Sequence, residues 1–298
     1  MYPVTWIVVL NWNGAEDTLA CLNSLAGERP PLCRVLVVDN GSTDGSAELI
    51  RDAFADAELL VLPANRGYAA GNNAGFRRVM ELQGEYVVFL NNDTIVEAGF
   101  WVPLVETLQR NSLAGIAVPK IFYSDSPDTL WYGGGIVRLS TGLISHVGLR
   151  KKDSPQFSRP VTTGYATGCC LAMRCKDFQA LGGFDETFAM YAEDVDLSLR
   201  VSSLGLTIEY VPSSRVWHKV SGSLRGNTVL KLIKKLVKKS VGELHLFRKH
   251  RVWNGMALYL LLLPLRLAVS YGEVMRVKDS EVYKKGRVKD AEHIQNRH

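Results

Sequence analysis

The sequence lacks the marks of several protein classes. Its five cysteines are odd in number and have no paired two-residue spacing, which excludes a zinc or redox motif and predicts buried, reduced thiols. The first apolar run ends at Leu10 without the basic start, the length or the small-residue cleavage site of a secretory signal. We therefore expect a cytoplasmic protein. The sequence also contains no internal repeat.

The sequence also has only a small excess of positive over negative charge. The formal net charge is +5, and 22% charged residues beside 47% hydrophobic residues are typical of a folded protein with a buried core. At 298 residues the chain is long enough for one large domain or two small ones. Basic residues crowd between 231 and 251, which favours a local anionic partner and not nucleic acid. They are Lys231, Lys234, Lys235, Lys238, Lys239, Arg248, Lys249 and Arg251.

What the chain does contain is a regular alternation from Thr5 to about residue 119. Short apolar runs alternate there with amphipathic stretches, the pattern of βαβ units around a mainly parallel sheet. The runs are almost continuously apolar, as expected of strands covered on both faces. The predicted strands are Trp6–Leu10, Arg34–Val38, Leu59–Leu62, Tyr86–Leu90 and Ile116–Val118. The predicted helices are Ala15–Leu25, Ser46–Phe54, Ala69–Leu82 and Phe100–Gln109.

The following segment, 121–165, loses this alternation. It is rich in Gly, Ser, Thr and Pro, so we interpret it as an insertion or as loops over a site. A further strand is predicted at Gly168–Met173 and a helix at Val195–Leu204.

Polar turns follow three of the predicted strands. They are Asn11–Gly14, Asp39–Ser46 and Asn91–Asp93. In open α/β sheets, ligands bind in the crevice outside the carboxyl ends of the strands. The sequence therefore predicts one ligand-binding crevice at this edge.

Three of the polar segments each have two interpretations. The Asn91–Asp93 triplet offers oxygen ligands to Mg²⁺ or Mn²⁺, or is a turn that caps the next segment. The acids of Glu193–Asp196 include a candidate base for an alcohol, or form a helix N-cap. The Asn65–Gly75 stretch lets backbone N–H groups approach a phosphate or a sugar, or needs its glycines only for a turn.

Six motifs in a fixed order resemble family-two glycosyltransferases of the GT-A fold. The nearest subgroup is the rhamnosyltransferase-like enzymes of bacterial cell-surface polysaccharide assembly, and the resemblance runs from about Val4 to Ser221. Six ordered motifs are far more specific than any one alone. They are Asn11–Asn13, Val38–Ser46, Asn65–Gly75, Asn91–Asp93, Gly182–Asp185 and Glu193–Leu197.

The resemblance implies a pocket for a nucleotide-diphosphate sugar. Asp39 matches the family's aspartate that contacts the nucleotide base, with Asn11 and Asn13 beside it. The residues expected to bind the donor are Asn11, Asn13, Asp39, Gly67, Asn72 and Asn92.

The resemblance also implies a divalent cation, Mn²⁺ or Mg²⁺. Asp93 matches the last carboxylate of the family's D-x-D motif, whereas Asn91 stands where many relatives carry Asp. A neutral amide gives up one negative charge, so a further ligand gains importance. His218 is the candidate, because some relatives complete the metal shell with a histidine at this place. The alternative is that Trp217 and His218 form an aromatic pair packed against the core.

The implied activity is transfer with inversion of the anomeric configuration. Asp194 matches the catalytic base, and Glu193 precedes it in the family's Glu-Asp pair. We expect a sugar, with rhamnose favoured by the subgroup, to pass to a lipid-linked or polysaccharide acceptor. Two alternatives are a non-catalytic membrane-bound scaffold derived from such an enzyme and a sugar-phosphate nucleotidyltransferase. The second would need a Gly-rich, Arg-containing phosphate loop, and the first turn reads Leu10–Gly14 instead.

The C-terminal part changes character. Residues 228–240 carry apolar residues at helical spacing with five lysines, and Met256–Leu265 is an apolar run too short to span a bilayer. We predict a GT-A-type domain at 1–225 and a helical membrane-associating region at 226–298, peripheral on the inner face of the cell membrane and bound to its anionic surface. The alternative is a helix packed on the catalytic domain. Self-association as a homo-oligomer stays open.

Overall fold

The computed structural model describes residues 3–26, 33–55, 57–188, 191–220 and 229–265, with side chains in the last segment from 236 onward. The strands are β1 (Thr5–Asn11), β2 (Cys33–Asp39), β3 (Glu58–Val61), β4 (Tyr86–Asn91), β5 (Thr94–Val96), β6 (Ala114–Tyr123), β7 (Ser126–Tyr132), β8 (Gly135–Arg138), β9 (Leu143–His146), β10 (Val161–Thr162), β11 (Cys170–Arg174) and β12 (Thr207–His218). The α-helices are α1 (Ala15–Leu25), α2 (Ser46–Ala53), α3 (Gly67–Glu81), α4 (Trp101–Arg110), α5 (Cys175–Ala180), α6 (Glu193–Ser203) and α7 (Val229–Lys249).

The strands form one large twisted sheet with a parallel region at its centre. The order along it is β10-β12-β6-β11-β4-β1-β2-β3, with β5 beside β12 and β7 beside β6. Strands β3, β2, β1 and β4 are all parallel, and β11 is antiparallel to β4. Side chains on both faces of β1 and β4 are buried, so helices cover both sides of the sheet. The predicted α/β fold around a mainly parallel sheet is confirmed.

Strand β12 has no counterpart among the predicted elements. It pairs with β6 in parallel, but the register shifts between Val211 and Arg215, where Pro212 interrupts the run of β-formers. Proline lacks the N–H needed for a ladder and is tolerated at such bulges. The strand matters to function because its last residue is His218.

Of the two interpretations of residues 121–165, an insertion or loops over a site, the second is wrong. The segment continues β6 to Tyr123 and contains β7, the β8–β9 hairpin and β10. Gly and Pro serve here as turns between short strands, which is why the composition resembled a loop. Buried Lys120 of β6 anchors this segment, because its ammonium donates to both carboxylate oxygens of Asp153 at 2.8 and 2.9 Å.

The C-terminal helices pack on the predicted GT-A-type domain. Leu246 and Phe247 of α7 and Tyr259 of the helix at 253–265 are buried in one apolar cluster with Tyr165 and Val195. The described residues include no helix long and apolar enough to cross a membrane. The predicted boundary at 225 lies among residues 221–228, outside the described part of the chain, and stays a prediction.

All five cysteines are buried, as predicted. Burial raises the pKa of the Cys21 thiol to about 12, so this thiol stays protonated at neutral pH.

Candidate active site

The carboxyl ends of β1 and β2 lie side by side, since Asn11 and Asp39 are register partners. The amide of Asn11 donates to Asp39 Oδ2 at 2.7 Å and to Ser42 Oγ at 3.2 Å. Ser42 N–H donates in turn to Asp39 Oδ1 at 2.9 Å. Both oxygens of Asp39 are thus oriented by neighbours, and the carboxylate is buried. The structure brings together the residues expected to hold the nucleotide base.

Asn13 joins the two turns at this edge. Its backbone N–H donates to Ser42 Oγ at 2.9 Å, and its side-chain oxygen accepts from Thr43 N–H at 2.8 Å. Asn13 has a φ of +49°, a conformation that asparagine tolerates better than most residues. Trp12, between the two asparagines, is exposed.

The start of α3 is held against the same edge. Asn40 donates to Gly67 O at 3.1 Å and accepts from Arg66 N–H at 3.0 Å, and Gly67 has a φ of +81° that glycine adopts without strain. A Cβ on Gly71 would lie 2.6 Å from Leu10 Cδ1, so this glycine lets the helix close on β1.

Asn72 is placed differently from the other expected donor residues. It is buried, and its amide donates to Tyr68 O at 3.1 Å inside α3. The Asn72 side chain therefore hydrogen-bonds within its own helix.

The Asn91–Asp93 triplet ends β4 at the centre of the edge. Asn91 N–H donates to Cys169 O at 2.9 Å, and Asn91 O accepts from Thr94 Oγ1. Asn92 donates to Thr18 Oγ1 at 2.9 Å, and Thr18 Oγ1 donates in turn to Asn11 Oδ1 at 2.8 Å.

Asp93 faces His218 from the end of β12. Asp93 Oδ1 and His218 Nε2 are 3.2 Å apart, yet Oδ1 is buried without a hydrogen-bond partner. Two ligands of one Mg²⁺ or Mn²⁺ ion approach each other to about 3 Å, because each lies about 2.1 Å from the ion. An orphaned carboxylate oxygen beside an imidazole nitrogen fits a divalent cation. The described residues include no group of three or more His, Cys, Asp and Glu side chains arranged to hold a metal ion, so substrate or water oxygens would supply the remaining ligands.

The acid pair lies at the first turn of α6. The N-cap is Ala192, without a side-chain hydrogen bond, so neither acid is the N-cap. Both acids do lie in the first turn, where the alternative interpretation expected them. Asp194 Oδ2 accepts from Gly168 N–H and Oδ1 from Val195 N–H, both at 2.8 Å. Glu193 is buried, and its Oε2 has no hydrogen-bond partner.

The two acids differ in the protonation state that their surroundings favour. Burial and the neighbouring Asp194 raise the pKa of Glu193 to about 8, so Glu193 is mostly protonated at pH 7. Burial also raises the pKa of Asp194, but its bonds from the N–H groups of Gly168 and Val195 favour the carboxylate. The pair holds one negative charge most easily on Asp194.

The acid pair and the Asn91–Asp93 triplet meet at two consecutive residues. Gly168 N–H bonds to Asp194, and Cys169 O accepts from Asn91 N–H. Tyr68 of α3 fixes this dipeptide by donating to Gly168 O at 2.6 Å. One short segment before β11 therefore sets the spacing between the candidate base and the candidate cation site.

Comparison with known families agrees with this geometry. Residues 6–182 match the model of glycosyl transferase family 2, and residues 151–220 match the N-terminal domain of galactosyltransferase. The chain belongs to glycosyltransferase family 2. It is 33% identical over 225 residues to the N-acetylglucosaminyl-diphospho-decaprenol L-rhamnosyltransferase of Mycobacterium tuberculosis, covering 68% of this chain and 71% of that protein. The predicted family, enzyme class and rhamnosyltransferase-like subgroup are confirmed.

Two solved structures share the fold of this glycosyltransferase. GalNAc-T7 with UDP, GalNAc and Mn²⁺ aligns with a TM-score of 0.59 at 19% identity, over 72% of this chain and 44% of that one. The mannosyltransferase PcManGT from Pyrobaculum calidifontis, in complex with GDP-Man and Mn²⁺, aligns with a TM-score of 0.58 at 16% identity, over 94% and 76%. The chain thus spans less than half of the first protein, and both likenesses establish the GT-A fold.

Sequence reasoning missed several residues of this family-two site. The Trp131 ring lies edge-on to His218 at 4.6 Å and to His146 at 4.5 Å, so the β7–β9 region forms a wall beside the candidate cation site. Lys219 N–H donates to Asp93 O, and its ammonium lies 2.7 Å from Asp17 Oδ1. No local motif marks these contacts, because each joins segments far apart in the chain.

Proposed function

We propose that this family-two enzyme is an inverting, metal-dependent glycosyltransferase. It takes a sugar, rhamnose by preference, from a nucleotide-diphosphate donor and passes it to a lipid-linked or polysaccharide acceptor. The name of the mycobacterial relative supports rhamnose and a diphosphate-linked lipid. The observation that carries the proposal is the Gly168–Cys169 dipeptide, which holds the Asp194 carboxylate next to the Asn91–Asp93 triplet.

The donor pocket orients the nucleotide. Asp39, held by Asn11 and Ser42, is placed to accept hydrogen bonds from the base, and exposed Trp12 offers a ring against which a flat base packs. Asp93 and His218 would hold Mn²⁺ or Mg²⁺, with Asn91 as a neutral neighbour. When bound, the cation neutralises charge that grows on the leaving diphosphate.

Asp194 acts on the acceptor. Its carboxylate takes the proton from the attacking hydroxyl, the hydroxyl oxygen forms the new bond to the anomeric carbon, and the bond from that carbon to the diphosphate oxygen breaks. One base suffices for this in-line displacement, and the anomeric configuration inverts. Protonated Glu193 keeps a second negative charge away from Asp194.

The test is a transfer assay on the full chain with nucleotide-diphosphate rhamnose and a short-chain diphosphate-lipid acceptor bearing N-acetylglucosamine. We expect manganese-dependent formation of one product whose new linkage is inverted relative to the donor, as read by nuclear magnetic resonance. A product with retained configuration, or equal rates with and without the metal, would contradict the mechanism. Donor binding without transfer or hydrolysis of any nucleotide sugar would favour the scaffold, for which Asn91 is the one supporting feature.

We also propose that the C-terminal helices attach the enzyme to the inner face of an anionic membrane. Val237 and Val241 lie one turn apart on α7 and are exposed, as are Leu261 and Leu265 on the helix at 253–265. Exposed Lys238 and Lys239 lie among these apolar residues of α7. Apolar side chains beside cations suit an interface of anionic lipids.

Vesicle co-sedimentation tests this attachment. Full-length protein should bind anionic vesicles and remain partly bound at high salt, since apolar burial is insensitive to screening. Leu261→Asp with Leu265→Asp should remove the salt-resistant part. Leu113→Asp is the matched control, because Leu113 is exposed just before β6, at the edge opposite the site. Equal binding of the two variants would contradict the proposal.

A further inference from the structure

The loop that leads into the acid pair has an unusual backbone. Tyr191 and Ala192, directly before Glu193 and Asp194, have φ values of +71° and +73°. Residues with a Cβ adopt this left-handed conformation only when surrounding contacts impose it. The direction in which Asp194 points therefore depends on what holds this loop and the start of α6.

The end of α7 provides such contacts. Lys249 Nζ lies 2.7 Å from Asp196 Oδ1 and 2.6 Å from Asp185 Oδ2, so one ammonium joins α6 to the loop before it. His250 Nε2 lies 2.9 Å from the same Asp196 oxygen. Asp196 is fully buried, and Arg200 donates to its other oxygen at 2.8 Å.

Further contacts extend this attachment along the loop. Arg200 also donates to Leu181 O and Gly183 O, at 2.7 and 2.8 Å. The ring of His245 on α7 lies edge-on to Phe188 at 4.6 Å. Residues 181–188, on the N-terminal side of the loop before the acid pair, are thus held by Arg200 of α6 and by the end of α7.

Resting on the proposed role of Asp194 as the base, we propose that Lys249 and His250 are positioning residues of the reaction. They lie outside the segments matched by the family models, 6–182 and 151–220. By neutralising buried Asp196 and holding Asp185, they set the start of α6 and so aim Asp194 at the acceptor hydroxyl. Lys249 is therefore committed to two carboxylates and is not part of the basic surface offered to lipid.

The decisive variants are Lys249→Met and Lys249→Arg. Methionine keeps length and apolar character but cannot pair with either carboxylate, whereas arginine restores a cation with several donors. In the rhamnose transfer assay we expect Lys249→Met to lower kcat about 10- to 100-fold, the loss expected for a small misplacement of a catalytic group. Donor KM and calorimetric donor Kd should stay within about two-fold, because the donor pocket lies on β1, β2 and α3. Lys249→Arg should recover most of the lost kcat.

Controls separate positioning from folding and from the proposed function. Lys176→Met removes an exposed cation from α5 and should leave kcat unchanged. If Lys249→Met proves too unstable to assay, His250→Leu, which removes one donor to Asp196, decides by the same kcat and KM comparison. Wild-type kcat in these variants, or equal loss of kcat and donor binding, overturns the inference.

The variant Asp194→Asn is assayed in parallel to test the proposed base. If Asp194→Asn stays active, the proposed base is wrong. If Asp194→Asn is inactive and Lys249→Met is active, only the positioning role is wrong.

Discussion

The donor side and the catalytic side that we propose for this site are built in different ways. The donor side comes from successive βα turns of a parallel sheet, with Asn11 and Asp39 as register partners. The catalytic side is assembled from the segment before β11, the start of α6, the end of β12 and the end of α7. Local chain geometry places the donor residues, whereas long-range packing places Asp194 and His218. Changes on the donor side should therefore act on binding, and changes on the catalytic side on turnover or stability.

The largest effect should come from Asp194→Asn. The amide keeps the shape of the side chain but cannot accept the proton, so transfer should fall about 10²- to 10⁴-fold. Donor Kd, measured by calorimetry, should not change. Transfer within a few-fold of wild type at saturating donor would move the base elsewhere, with Glu193 and Asp196 as the next candidates.

Phe247→Ala tests whether α7 belongs to the catalytic side. Phe247 is fully buried among residues of α6 and the helix at 253–265, so truncation should cost about 3–5 kcal/mol of unfolding free energy. Thermal or urea unfolding measures the loss, and Val241→Ala on the exposed face of α7 is the control. If both variants unfold like wild type, α7 contributes nothing to the stability of the domain and the predicted separate region is favoured.

Asp93→Ala should remove the manganese dependence of donor binding. Asp93 is the only carboxylate of its triplet, and several kcal/mol of charge stabilisation correspond to a loss of about 100-fold or more in transfer. His218→Ala should weaken the same dependence less, because Asp93 remains. Calorimetry with and without Mn²⁺ separates the two variants. Unchanged manganese dependence in Asp93→Ala would place the cation elsewhere.

Asp39→Asn should weaken donor binding without lowering turnover. Replacing a charged acceptor weakens hydrogen bonds from the nucleotide base by about 1.5–3 kcal/mol, or roughly 10- to 100-fold in donor Kd. At saturating donor, kcat should stay near the wild-type value. If Asp39→Asn instead lowers kcat without changing donor Kd, the donor side and the catalytic side do not act separately.

A further effect concerns the pH dependence of stability. Burial and Asp194 raise the pKa of Glu193 from 4.5 to about 8, so the folded state binds this proton more tightly than the unfolded chain. Stability should therefore fall as the pH rises from about 4.5 to about 8. Glu193→Gln removes this titration and should flatten the dependence of Tm on pH across that window. If Tm changes with pH in the same way in the wild type and in Glu193→Gln, Glu193 titrates as an ordinary surface acid.

Sequence patterns predicted the donor side well because its elements are locally encoded. Helix α1 begins and ends at the predicted residues. Strands β1 and β2 extend one residue beyond the prediction at both ends, and β4 extends one residue beyond it at the carboxyl end. Sequence patterns failed for β12, since Pro212 and two serines break the run of apolar residues that marks a buried strand. They also failed for the β7–β10 segment, where Gly and Pro form turns between short strands.

By itself the sequence determined the family, the parallel core and the identity of the polar residues at its edge, because strand periodicity and ordered motifs are local properties. Only the tertiary structure decided which of them meet. It brought His218 to Asp93, Gly168 to Asp194 and Lys249 to Asp196. These pairs join elements that are distant in the chain, so they depend on how β12, β11 and α7 pack, and no short motif records that packing.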